Sequence, residues 1–152
     1  MKLAEALSRR SALEEKIDEM KSRLADNVKV QEGDQPFENP MDLIKDLDRV
    51  LTEFKMMVFR INLTNTRTVV DGRTLTDMLA ERDMLKKKTR ILSDTLSSIT
   101  DRGSRYSRNE IKYVATVDPA DLRRLFDDAS SKLRQLDLRI QSIGWEADLI
   151  EY

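Results

Sequence analysis

Apolar side chains recur in alternating steps of three and four along four stretches of this chain. The clearest runs Leu75, Met78, Arg82, Leu85, Thr89, Leu92, Leu96, Ile99. The others run Ala6, Arg10, Leu13, Ile17, Met20, Leu24; then Leu43, Leu47, Val50, Phe54, Met57, Ile61; then Leu122, Leu125, Ala129, Leu133, Leu136, Ile140, Ile143. Such an alternation draws one narrow stripe along a helix and favours packing against other helices in a shallow left-handed supercoil. The pattern predicts an all-α protein. Its four long amphipathic helices, at about 2–27, 40–65, 75–100 and 119–144, form an antiparallel, coiled-coil-like bundle in one domain spanning 1–152. Narrow stripes bury little surface within one chain, so an oligomer is expected.

Punctuation between the stripes agrees with this reading. Residues 28–39 form a linker with Gly33 and Pro36, and Asn39 caps the second helix with Pro40 at its first position, where a missing N–H costs nothing. Ile44, Leu51 and Val58 widen that helix's apolar face. It ends in the polar, β-branched stretch around Asn62, Thr64, Asn65, Thr66 and Thr68, followed by the turn signal Asp71-Gly72. Thr74 to Asp77 offers a capped start for the third helix, and Asp118-Pro119 does the same for the fourth. Between them, 102–117 reads as loop and strand. Gly103 breaks the helix, and residues 110–117 alternate around β-branched side chains, predicting one short β segment. A lone strand needs an edge, which would come from Val69–Val70 or from another copy.

Composition narrows the chemistry. Among 152 residues there is no Cys and no His, so disulfides, thiolate nucleophiles, imidazole bases and the usual zinc or haem ligands are absent. No metal and no cofactor are expected. Charged residues make up 36% and aromatics 5%, with a net charge of −1, which suits long solvated helices and gives nucleic-acid binding no support. The longest apolar run, Met56 to Phe59, falls far short of the ~20 residues that span a bilayer. Glu5, Arg9 and Arg10 stand where a signal peptide needs an apolar stretch, so a cytoplasmic location is expected.

Two segments are candidates for binding. Arg102, Arg105, Tyr106, Ser107 and Arg108 combine guanidinium forks, a hydroxyl and a ring beside Gly103, which suits a phosphate or carboxylate. The alternative is that these arginines pair with acids such as Asp127, Asp128 or Asp137. A second polar cluster comprises Asn62, Asn65, Arg67 and Arg73, with helix termination and an inter-helix hydrogen-bond network as its alternative. Lys86, Lys87, Lys88 and Arg90 read as a solvated face of the third helix.

Several irregular stretches resemble the septicolysins, a bacterial family of small helical proteins. They are Met1 to Leu7, Val30 to Gly33, Arg60-Ile61-Asn62 with Thr64-Asn65, Gly72 to Asp77, Arg105 to Arg108 with Glu110-Ile111-Lys112, Thr116-Val117-Asp118, and Trp145. The resemblance implies a pore-forming cytolysin and carries no catalytic residues. The residues themselves show neither a membrane-spanning run nor a long alternating hairpin of the barrel-forming kind. The reading put first is a non-enzymatic helical oligomer that assembles with itself or binds a macromolecular partner. The alternatives are a cytolysin, or a small helical-bundle enzyme or anion-binding protein worked by arginine.

Overall fold

The computed structural model describes residues 1–100 and 111–152. Its fold is all-α and bundle-like, with four helices and one small sheet among the described residues: α1 (Leu3–Asn27), α2 (Pro40–Arg67), β1 (Val69–Val70), β2 (Arg73–Thr74), α3 (Leu75–Thr100) and α4 (Pro119–Glu146). The backbone gathers into two compact units, one of residues 1–74 with 142–152 and the other of residues 75–141.

In the first unit α1 and α2 form an antiparallel hairpin. The direction follows from the ion pairs, since Arg9 reaches Glu53 while Arg23, fourteen residues further on in α1, reaches back to Glu38 just before α2. Leu3, Ala6, Leu13 and Met20 of α1 and Leu43, Met57 and Ile61 of α2 are buried, as a three–four stripe requires. Asn39 starts α2 as its N-cap, with its side chain accepting from the amides of Met41 and Asp42 at 2.9 and 3.4 Å. The linker is tied down as well. Buried Asn27 accepts from the Glu38 amide at 3.0 Å and donates to the Arg23 carbonyl at 2.8 Å, while Arg23 grips the Glu38 carboxylate with a two-pronged guanidinium contact.

The chain's last residues close this unit. Leu3 donates its amide to the Ala147 carbonyl and Leu149 donates to the Met1 carbonyl, both at 2.9 Å, so the two segments lie together as a short antiparallel bridge. Lys2 pairs with Asp148 at 2.8 Å. Fully buried Thr64 receives the Ile150 amide on its hydroxyl oxygen at 2.9 Å and donates that hydroxyl to the Arg60 carbonyl at 2.7 Å. Gly144, in the final turn of α4, lies against α1, where an added Cβ would stand 3.7 Å from that of Ala4. Leu149 is buried beside these contacts.

The strand expected at 110–117 is not formed. Residues 111–117 have no regular structure and are exposed throughout, and position 110 lies outside the described residues. The reason lies in the edge that the segment needed. Val69–Val70 pairs with Arg73–Thr74, in the register Val69 opposite Thr74 and Val70 opposite Arg73. The two linking residues, Asp71 and Gly72, have φ of 52° and 80°, the paired left-handed values that a tight hairpin of this twist demands and that Asp-Gly supplies. Val69–Val70 thus takes its partner from its own hairpin, and 111–117 joins neither strand. Without a partner, alternation alone does not hold an extended segment.

In the second unit α3 and α4 also run antiparallel. Arg82 faces Asp137 at 3.7 Å, and further along α3 the residues Arg90 and Asp94 share a cleft with Ser130 and Phe126, earlier in α4. The Asp118 side chain caps α4 by accepting from the Ala120 amide at 2.9 Å. Leu75, Met78, Leu85 and Leu96 of α3 and Ala129 and Ile140 of α4 are buried, while Leu92 and Leu136 are only half-buried.

The two clasps, Arg23 on Glu38 and Lys2 on Asp148, are acid-sensitive by construction. The Arg23 guanidinium holds the Glu38 carboxyl below the usual carboxylate range, and the Lys2 ammonium does the same to Asp148. A carboxyl whose folded pKa is lowered adds stability above its unfolded pKa, about 4, and loses it as pH falls through the folded value. The melting temperature should therefore drop between about pH 5 and about pH 3, and Asp148→Asn should reduce that drop. An equal drop in the variant would remove Asp148 from the account.

Candidate functional site

Two surfaces of the second unit combine unusual chemistry with open geometry. The first is a cleft between α3 and α4. Helical spacing of three and four brings Lys86, Thr89, Arg90, Ser93 and Asp94 onto one flank of α3. The same spacing brings Phe126, Ser130, Leu133 and Arg134 onto the facing side of α4. Lys86, Arg90 and Arg134 make no ion pair among the described residues. The Thr89 hydroxyl is spent on the Lys86 carbonyl at 2.9 Å, whereas those of Ser93 and Ser130 have no protein partner among the described residues.

The second surface lies on the far side of α3. Ala80, Met84, Lys87 and Ile91 recur at helical spacing and line a shallow apolar groove edged by Asp83, Lys88 and Leu92. Met84 is 50% exposed and Ile91 63%. The basic run of α3 thus divides between two surfaces. Lys86 and Arg90 turn toward the cleft, Lys87 and Lys88 toward the groove.

Of the sites expected from the sequence, Arg102, Arg105, Tyr106, Ser107 and Arg108 lie outside the described residues. The second cluster is placed at the end of α2 and in the hairpin. Asn62 and Arg67 are exposed, Asn65 and Arg73 half-buried. Arg67 donates to the Tyr152 hydroxyl at 2.6 Å and lies over its ring at 5.5 Å, and Arg60 donates to the Tyr152 backbone oxygen at 3.4 Å. Tyr152, on which these contacts centre, was not among the expected site residues. The apolar ending Leu149, Ile150 and Tyr152 signals in the sequence a tail that docks on a neighbour, and the structure docks it on α2 of the same chain. Among the described residues no group of acids is placed to hold a metal ion, and no helix is long and apolar enough to cross a membrane.

The fold defines a class of protein: an all-α chain of two antiparallel helix pairs, with its tail locked across the first. The chain belongs to a family of unknown function, DUF6847, whose model matches residues 10–149. It is similar to a functionally unknown conserved protein from Corynebacterium diphtheriae, known from a crystal structure. The two are 44% identical over 99% of each chain, with a TM-score of 0.92. No curated protein matches the chain.

These matches overturn the septicolysin resemblance, which was what had implied a cytolysin. The structure shows why short stretches misled. Gly72 to Asp77 is a hairpin turn running into a helix start, and Thr116-Val117-Asp118 leads into a helix cap. Turn and cap chemistry recurs wherever a backbone needs it.

Proposed function

We propose that this protein acts without catalysis, by assembling with further copies of itself through the outer face of α3. The observation that carries the reading is that α3 is apolar on two sides. Leu75, Met78 and Leu85 are buried, while Ala80, Met84 and Ile91 lie open along about 17 Å of the opposite surface. An apolar stripe on the solvent side of a helix is a surface that a partner can cover. A second copy is the simplest occupant, because a two-fold axis across α3 lets one stripe cover its own duplicate, with the Lys87 stem adding apolar length. The lack of Cys and His removes the commonest nucleophiles and bases, which supports a binding role over a catalytic one.

A chain with no cysteine allows a direct test. Single Cys substitutions at Met84, Lys87 and Ile91 are oxidised under mild conditions. At least one should give a disulfide-linked dimer, whereas Glu15→Cys on the exposed side of α1 should not. No cross-link at any α3 position, or equal cross-linking at position 15, would overturn the interface.

A further inference from the structure

We propose that the cleft between α3 and α4 binds a doubly charged oxyanion, phosphate or a phosphomonoester. Lys86, Arg90 and Arg134 converge on it from two helices, and Asp94 is the acid that lines it. Three cations against one carboxylate leave two positive charges to be met, and no protein group among the described residues pairs with them. Three other cations of the same unit do have acids at hand. Arg82 faces Asp137, Arg124 pairs with Asp121, and Lys132 pairs with Asp128.

The chemistry of the donors fits a tetrahedral oxyanion. Two guanidinium forks present paired N–H groups, which match phosphate oxygens in a way that an ammonium alone does not. Ser93 and Ser130 add hydroxyls with no protein partner among the described residues. Phe126, half-buried at one end, gives an esterified group an apolar surface to lie on. The cleft is on a different side of α3 from the assembly groove, so the two proposals stand or fall separately.

The test is titration calorimetry of the intact protein at low salt with inorganic phosphate and with phenyl phosphate. The cleft predicts saturable one-site binding that weakens as salt is added. Tighter binding of phenyl phosphate points to an ester, and equal binding to free phosphate. Arg90→Gln and Arg134→Gln should each weaken binding about tenfold or more, the loss expected for a charge-assisted hydrogen bond. Arg134→Lys should fall in between. Arg124→Gln, on the outer side of α4, should leave binding unchanged, and circular dichroism checks that each variant keeps its helices. Failure of both probes to saturate through the millimolar range would overturn the proposal. So would Arg124→Gln weakening binding as much as Arg134→Gln.

Discussion

Ile61→Ala should destabilise the protein by about 2–5 kcal/mol, close to the upper range for a single substitution. Ile61 is 1% exposed on the inner face of α2, in the same unit as Leu3, Leu149 and the tail's docking point on Thr64. Removing three carbons there loses their transfer free energy and leaves a cavity that two packed helices cannot readily close. The three–four stripe alone would assign the same cost to Leu92 and Leu136. Both are half-buried, so Leu92→Ala and Leu136→Ala should cost clearly less than Ile61→Ala. Urea unfolding of the three variants checks the order, and equal losses would mean that the stripe, not the burial, decides.

Thr64→Val should cost about 1–3 kcal/mol although it preserves the side chain's shape. The hydroxyl is fully buried and does two things, accepting the Ile150 amide and donating to the Arg60 carbonyl. The Arg60 carbonyl can do without it, since bonding back to the i−4 carbonyl is an extra in a helix. The Ile150 amide cannot, because a buried N–H left without an acceptor bears its full desolvation cost. Thr64→Ser keeps both bonds and loses one methyl, so it should be the milder change. Amide exchange at Ile150 reads the effect locally: it should accelerate in Thr64→Val and stay protected in Thr64→Ser. Protection unchanged in both would mean that the tail is held by Leu149 and its neighbours instead.

The helices and their starts were legible because their causes are local. Asn39-Pro40 and Asp118-Pro119 begin helices through contacts two or three residues away, and the stripes record which side of each helix is covered. The tail's anchorage was not legible, since Thr64 and Ile150 stand 86 residues apart and neither is unusual where it stands. The alternation at 111–117 misleads for a related reason. A strand is a property of two segments, and Val69–Val70 pairs across Asp71-Gly72 instead of with 111–117. The basic run of α3 reads as one patch in the sequence, yet each residue turns the helix by about 100°, so its neighbours serve different surfaces.

Assembly through α3 is tested most directly by the mass of the protein in solution. Sedimentation equilibrium at micromolar concentration should give a multiple of the 17.7 kDa chain for the unmodified protein. Ile91→Glu with Met84→Glu, which places four like charges across a paired face, should give the single-chain mass with helicity unchanged. An unmodified protein that sediments as one chain at that concentration would contradict the account.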